Sequence, residues 1–199
     1  MSTPARKRDL DAAATREALL ESGRRLFLQG GYAAVSAEAL VRSAGLTRGA
    51  LYHHFDGKKG LFRELVAALQ DDAAALVGRA MSQASDPWDA ASNGARAFLE
   101  LTTETAYREL VLIQAPLVLG WALWRELDEE RLGSLVVTGI RALRDAGRLS
   151  PLPEQLVATG LYGALTELSL VVAADPYPHV ALERAHRVFM AMLGGLGSS

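Results

Sequence analysis

The sequence contains no cysteine, so disulfide bonds, thiolate metal sites and redox sensing by thiols are excluded. This absence is typical of a reducing compartment, and we expect a cytoplasmic protein. The longest uncharged run, Leu110 to Trp124, contains Gln114 and Pro116 and is shorter than a membrane span. The first residues also lack the apolar segment of a signal peptide. We therefore expect no membrane partner.

Patterns that would indicate catalysis or cofactor binding are also missing. The glycine pairs do not follow a predicted strand, which argues against a dinucleotide or P-loop site. The adjacent His53 and His54 point to different faces of a helix, and His179 and His186 lack acidic ligands at metal-binding spacing. We therefore expect no enzyme, no metal site and no cofactor.

Apolar residues make up 50% of the 199-residue chain, which is enough to bury a substantial core. They recur at helical spacing between glycine and proline breaks, which predicts an all-α fold. The predicted helices span about residues 12–29, 36–44, 47–55, 56–78, 86–105, 107–115, 117–146, 154–173 and 180–196.

The segment Ser36–Phe55 is predicted to form two short helices joined by a tight turn. Ser36 and Thr47 are favourable N-cap residues, and Gly45 tolerates the left-handed backbone that ends a helix. Such a pair forms the helix-turn-helix of DNA-binding proteins, although similar pairs also occur in helical proteins of other kinds. Spacing alone therefore makes a DNA-binding helix-turn-helix a plausible choice but a minority one among helical proteins.

The second of these helices has two chemically different faces. Leu51 and Phe55 lie four residues apart and are predicted to be buried together. The rest of the helix carries groups suited to a phosphate backbone or to base edges, namely Arg48, Gly49, Tyr52 and His53. Glycine inside a helix costs roughly 1 kcal/mol relative to alanine. Close approach of another surface, which we take to be DNA, gives a reason for Gly49.

Charge is distributed unevenly along the chain. Residues 1–63 contain 11 Lys and Arg against 6 Asp and Glu, whereas the remainder contains 10 against 17. Phosphate neutralisation supplies most nonspecific DNA affinity, so the basic part is the expected DNA-binding part. We divide the chain into a basic arm (residues 1–11), a helix-turn-helix domain (12–63) and a helical domain (64–199). The arm is expected either to lie along the DNA backbone or only to aid solubility.

The first third of the chain resembles the N-terminal signature of the TetR/AcrR family of transcriptional regulators. The matching residues are Gly31-Tyr32, Ser36, Leu40, the run Ala44 to Gly49, the run Leu51 to Phe55, Lys58 and Leu61. The resemblance covers about residues 15–65, and Gly23, Ala39 and Val41 depart from the family pattern. It implies a three-helix DNA-binding domain followed by a helical domain for effector binding and dimerisation.

The same resemblance implies a homodimer, formed through the last two helices, that binds the two half-sites of a palindromic double-stranded operator. We expect Arg48, Tyr52 and His53 to read bases or backbone. Phosphate contacts are expected from Ser36, Thr47, Gly49 and Lys58. For Lys58, the resemblance to the family itself implies a contact with a backbone phosphate.

The C-terminal domain is expected to bind a small hydrophobic effector. A mostly apolar cavity with a few orienting polar groups is typical of such a site. The candidate lining residues are Phe98, Thr102, Gln114, Trp121, Trp124 and Glu167. Core packing is the simpler explanation for the two tryptophans.

Together these features predict a DNA-binding repressor that an effector releases from its operator. Two alternatives stay open. One is a DNA-bound adaptor or activator whose C-terminal domain binds a protein partner, and the more remote one is a helical enzyme.

Overall fold

The computed structural model describes residues 4–197, and within them the chain is helical with no β-strand. The predicted all-α fold is therefore confirmed. The described helices are α1 (Pro4–Ala34), α2 (Ala37–Ser43), α3 (Arg48–Phe55), α4 (Gly57–Ser82), α5 (Pro87–Leu101), a π-helical segment (Tyr107–Gln114), α6 (Ala115–Leu119), α7 (Trp121–Asp128), a π-helical turn (Glu129–Gly133), α8 (Ser134–Asp145), α9 (Glu154–Ala174) and α10 (Pro178–Gly194).

The chain divides into two compact units. The first contains the residues up to Ala68 together with Glu109–Trp121, and the second contains Leu69–Arg108 and the residues from Ala122 onward. Helix α4 contributes its beginning to the first unit and its end to the second. The domain boundary that we expect after residue 63 lies within this helix.

Packing of α1, α2, α3 and the start of α4 builds the core of the first unit. Its fully buried side chains include Leu19, Phe27, Leu40, Leu51 and Phe62. Ser22 lies among them, and its hydroxyl donates a 3.0 Å hydrogen bond to the backbone oxygen of Leu40. This bond satisfies a buried polar group and fixes α2 against α1.

Helix α1 is longer than predicted at both ends. It begins at Pro4, because proline is tolerated in a first helical turn, so the expected arm (residues 1–11) is helical from that residue onward. Residues 1–3 of the arm lie outside the described residues. The helix is interrupted at Gly31, where φ is 73° and ψ is 160°, but continues to Ala34.

In the second unit α5, α8, α9 and α10 pack against one another. The core contains Trp124, Leu99, Leu143 and Leu193, each at most 1% exposed. Asp86 caps α5 by accepting hydrogen bonds from the backbone N–H groups of Trp88 (2.7 Å) and Asp89 (2.9 Å), which confirms the predicted start of that helix.

The prediction of a single long helix from Leu117 to Ala146 is wrong. The chain leaves the helical conformation at Gly120, where φ is 89°, and then forms α7, the π-helical turn and α8. Glycine has no Cβ to penalise a positive φ, so this interruption falls where it costs least. The predicted end of the segment at Gly147 is confirmed, because Arg148 N–H donates to Leu143 O over 2.9 Å.

Helix α9 is the one helix within residues 4–197 that is long and apolar enough to span a membrane, with a mean hydropathy of 1.6. It packs against α8 and α10, and its buried side includes Leu161, Leu165 and Val172. Its other side exposes Leu156 and Val171, which are 71% and 62% exposed. A helix that is apolar around most of its circumference is typical of burial on two sides.

Candidate DNA-binding surface and effector cavity

The turn between α2 and α3 has the caps that the sequence predicts. Ser36 Oγ accepts from the backbone N–H of Ala39 over 3.0 Å, and Thr47 Oγ1 accepts from that of Ala50 over 3.3 Å. Gly45 lies in the turn with a φ of 68°, a conformation that most side chains would make costly. Helix α3 therefore begins at Arg48, with its first turn partly satisfied by its own cap.

Helix α3 buries one face and exposes the other. Leu51 is 0% and Phe55 is 4% exposed, as predicted. On the exposed side the structure brings together five of the residues expected to contact DNA, namely Thr47, Arg48, Gly49, Tyr52 and His53. Tyr52 is 49% exposed, and its hydroxyl accepts a 3.4 Å hydrogen bond from Arg48 Nη2.

The guanidinium of Arg48 is held in place by two neighbours. Its Nη1 lies 2.8 Å from Glu38 Oε1, and its Nη2 donates to Tyr52 Oη over 3.4 Å. The hydrogen bond with Tyr52 and the charge of Glu38 both raise the pKa of Arg48, so the group stays charged. Sequence reasoning missed Glu38, because pairing between two helices depends on how they pack.

Gly49 is not required by the fold of the described chain. A Cβ built at this position would have Thr47 Oγ1 as its nearest neighbour, at an ordinary contact distance of 3.8 Å. Alanine would also favour the helix more than glycine does. No contact among the described residues therefore requires glycine at this position.

Gly60 shows the opposite situation. A Cβ built on Gly60 would lie 1.4 Å from the backbone oxygen of Phe55, so no side chain fits without moving α4 away from the end of α3. Gly57 also lies close to α3, because its Cβ would be 3.2 Å from Tyr52 Cε1. The sequence analysis missed the contribution of these two glycines to the placement of α3. The available signal was the presence of two glycines within five residues of the predicted end of α3.

Lys58 belongs to α4 and Ser36 caps α2, so neither residue is part of α3. Lys58 Nζ donates to the backbone oxygens of Tyr32 (3.0 Å) and Val35 (2.8 Å), which ties the end of α1 to α4. These bonds use two of the three N–H donors of the ammonium group. Ser36 is the N-cap of α2, so its hydroxyl lies at the start of the helix that precedes α3.

The second unit contains an apolar cavity among α4, α5, α8, α9 and α10. Its volume is about 50 Å³. Its lining includes Val77, Met81, Phe98, Leu132, Tyr162 and Phe189. Among the described lining residues, Tyr162 alone carries a hydroxyl. A cavity of this volume holds a few water molecules, so any larger guest must widen it.

The structure does not bring the six expected effector residues together. Phe98 lines the cavity, whereas Thr102 is buried with its hydroxyl donating to Leu99 O over 2.7 Å. Trp124 is 1% exposed and lies in the core, and Glu167 is exposed. The remaining two, Gln114 and Trp121, belong to the first unit.

Gln114 has a clear role within the first unit. Its Oε1 accepts from Tyr32 N–H over 2.8 Å and its Nε2 donates to Phe27 O over 3.3 Å. The interruption at Gly31 disturbs the regular helical bonding of these backbone groups, and the amide compensates for it. The π-helical segment explains the misplacement, because wider turns rotate later residues away from the faces that α-helical spacing predicts.

Helix α3 is the second helix of a helix-turn-helix and exposes an arginine and a tyrosine. This arrangement, in a chain whose second unit is also helical, is typical of a DNA-binding regulator. Residues 19–65 match the model of the bacterial regulatory proteins of the tetR family. Residues 88–196, more than half of the chain, match the tetracyclin repressor-like C-terminal domain. The chain therefore belongs to the TetR family of transcriptional regulators.

Individual relatives agree with this assignment. The chain is 43% identical over 61 residues to the HTH-type transcriptional regulator AcrR of Shigella flexneri, covering 31% of this chain and 28% of that protein. It is 37% identical over 62 residues to the HTH-type transcriptional repressor AcnR of Corynebacterium glutamicum, covering 31% of each. The match thus spans less than a third of the length of these curated relatives.

One solved structure is similar over the whole chain. A TetR-family transcriptional regulator from Pectobacterium atrosepticum has a TM-score of 0.80 and 29% identity, and the match covers 100% of this chain and 99% of that one. The family expected from the sequence is confirmed. Because the family and its relatives are DNA-binding transcriptional regulators, the expectation that the chain is not an enzyme is confirmed as well.

Proposed function

We propose that this regulator is a repressor that binds a palindromic operator as a homodimer and is released when a small apolar molecule fills the cavity of the second unit. The observation that carries the proposal is the exposed side of α3. There Arg48 and Tyr52 are exposed on the same helix as Gly49, a glycine that no contact among the described residues requires.

Each proposed DNA contact follows from the chemistry of its group. The guanidinium of Arg48 can donate two hydrogen bonds to a guanine edge in the major groove, and the Tyr52 hydroxyl and the His53 ring can donate to bases or phosphates. Thr47 and Ser36 accept from their own helices and keep a hydroxyl hydrogen for a phosphate. Lys58 keeps one N–H for the same purpose. Gly49 lets the backbone approach closely.

DNA binding is tested by fluorescence anisotropy with a labelled duplex that the wild type has selected from a random library. Arg48→Ala should weaken specific binding, whereas Arg79→Ala, which removes an exposed positive charge from the second unit, should not. Equal effects of the two substitutions would mean that only overall charge matters, and that the exposed side of α3 does not read DNA.

Dimerisation is proposed from the exposed apolar side chains of the last two helices. Val180, Val188 and Met192 of α10 are 51%, 48% and 45% exposed and repeat at intervals of four or eight residues, which places them along one side of the helix. With Leu156 and Val171 of α9 they form an apolar surface of the kind that a symmetric dimer buries. We therefore propose a four-helix interface made by α9 and α10 of two copies.

The dimer is tested by light scattering at micromolar concentration. Val188→Glu introduces a charge into the proposed interface and should shift the mass from two chains to one. Leu117→Glu is the matched control, because Leu117 is 83% exposed on α6. A monomeric wild type, or a Val188→Glu variant that stays dimeric, would contradict the interface.

Release is proposed because α4 has a part in both sites. Val77 and Met81 near its end line the cavity, and Gly60 near its start contacts the end of α3. A guest larger than a few water molecules must push the cavity walls apart, and a shift of α4 would move the support of α3. A molecule that binds the protein without lowering operator affinity would contradict its role as an effector.

A further inference from the structure

Among the described residues of the second unit, three buried polar side chains have hydrogen-bonding atoms without partners. Gln70 is 0%, Tyr107 is 2% and Asp128 is 3% exposed. The unpartnered atoms are Gln70 Oε1, Tyr107 Oη and Asp128 Oδ2. Buried polar atoms are nearly always paired, because losing water without gaining another partner costs free energy. Atoms left in this state are candidates for binding a guest.

The three side chains belong to one cluster. Gln70 Nε2 donates to Asp128 Oδ1 over 3.2 Å, so each of these groups uses one atom inside the cluster and keeps the other. Burial, and after it the charge of Asp128, raise the pKa of Tyr107. Arg125 Nη1 lies 3.8 Å from Asp128 Oδ2, beyond hydrogen-bonding distance.

This cluster adjoins the apolar cavity. Tyr162 lines the cavity, and its hydroxyl donates to the backbone oxygen of Asp128 over 3.4 Å. Phe98 also lines the cavity, and its ring meets that of Tyr107 edge-on, with 6.4 Å between the centroids. Gln70, Tyr107 and Asp128 are not themselves among the lining residues, so a guest must widen the cavity past Tyr162 and Phe98 to reach them.

The unpartnered atoms determine which chemistry fits. Two of them, on Gln70 and Asp128, are acceptor oxygens, and the Tyr107 hydroxyl can both donate and accept. A guest hydroxyl can donate to one of the acceptors and accept from Tyr107. An anionic guest is disfavoured, because a carboxylate has only acceptor oxygens and would face the oxygens of Asp128. A cationic guest is disfavoured too, because the guanidinium of Arg125 already lies 3.8 Å from Asp128 Oδ2.

We infer that Gln70, Tyr107 and Asp128 anchor the hydroxyl group of an uncharged, otherwise apolar effector whose body fills the cavity. This inference rests on the proposed effector role of the cavity, and it adds the chemical class of the molecule. The hydroxyl supplies the hydrogen bonds that the cluster lacks, and the apolar body contacts Phe98 and the other lining residues.

Two probes of equal size and shape test the inference by isothermal titration calorimetry. Benzyl alcohol and ethylbenzene differ only in a terminal hydroxyl against a methyl group. The wild type should bind the alcohol at least about tenfold more tightly, because a site built for a hydroxyl discriminates strongly against an analogue that lacks one. Tyr107→Phe and Gln70→Met should reduce alcohol binding to the level of ethylbenzene and leave ethylbenzene binding unchanged.

Equal affinity of the wild type for the two probes, or no binding of either, would overturn the inference. So would a Tyr107→Phe variant that keeps the preference for the alcohol and changes only its unfolding temperature, since that result would give Tyr107 a structural role alone. Operator affinity measured alongside distinguishes this inference from the proposed function. If the alcohol binds with the expected preference but does not release DNA, the ligand chemistry stands and the release mechanism fails.

Discussion

Replacing Gly49 with alanine should improve folding and impair DNA binding at the same time. The nearest described atom to a Cβ built at Gly49 is Thr47 Oγ1 at 3.8 Å, so the methyl group fits the DNA-free protein. Alanine is favoured over glycine by up to about 1 kcal/mol inside a helix, and by less in a first turn, so we expect a gain of roughly 0.5 kcal/mol. For a chain of this length that gain raises the unfolding temperature by about 1–2 °C.

The same methyl group would project into the proposed DNA interface. An extra methyl in a closely packed contact typically costs about 1–3 kcal/mol, which corresponds to a loss of roughly 5- to 150-fold in affinity. Fluorescence anisotropy with the selected duplex measures this loss, and thermal unfolding followed by circular dichroism measures the gain in stability.

Gly78→Ala is the matched control for this experiment. Gly78 lies within α4, and a Cβ there has no neighbour within 4 Å, so the substitution should also stabilise its helix. It should leave operator affinity unchanged. If Gly49→Ala binds the duplex as tightly as the wild type does, DNA does not approach α3 at this residue and the reasoning is refuted.

Further substitutions test other parts of the structure. Arg48→Ala should lower specific operator affinity by roughly 5- to 150-fold, because it removes the proposed base contact. It should change the unfolding temperature little, because the side chains of the ion pair that it removes are 61% and 58% exposed. An unchanged anisotropy titration would exclude a base contact. Gly60→Ala should reduce both the unfolding temperature and DNA binding, because its Cβ would lie 1.4 Å from Phe55 O, and normal unfolding and binding would show that the close approach is not needed. Burial raises the pKa of Asp128, partly opposed by Tyr162, Arg125 and Gln70, so the wild type should lose stability relative to Asp128→Asn as pH rises through the folded-state pKa. Urea unfolding at about pH 4.5 and 7.5 measures this difference, and a relative stability of the two proteins that is independent of pH would contradict the shift.

Local signals explain why the helix-turn-helix could be predicted from the sequence. Ser36 and Thr47 bond to backbone N–H groups three residues ahead, and Gly45 adopts its turn conformation within the same short stretch. The burial of Leu51 and Phe55 follows from helical spacing alone. These features depend on neighbours in sequence, so a pattern of residue types is enough to identify them.

Features that depend on contacts between distant residues could not be predicted in this way. The pairing of Arg48 with Glu38 requires the packing of two helices, and the cluster of Gln70 with Asp128 joins residues 58 positions apart. The break at Gly120 lies within an apolar stretch that otherwise continues at helical spacing. The hydrogen bonds of Gln114 to Tyr32 and Phe27 could not be predicted for the same reason, since these partners lie far away in sequence, in α1.

Selection of duplexes from a random library by the purified full-length protein tests the central claim most directly. The account predicts that the wild type enriches an inverted repeat whose half-sites lie one helical turn, about 34 Å, or a multiple of it apart. Arg48→Ala should enrich no sequence or a less defined one, whereas Arg79→Ala should enrich the same repeat as the wild type. Recovery of sequences without a repeat, or of the same repeat by wild type and Arg48→Ala alike, would contradict operator recognition by α3 of a homodimer.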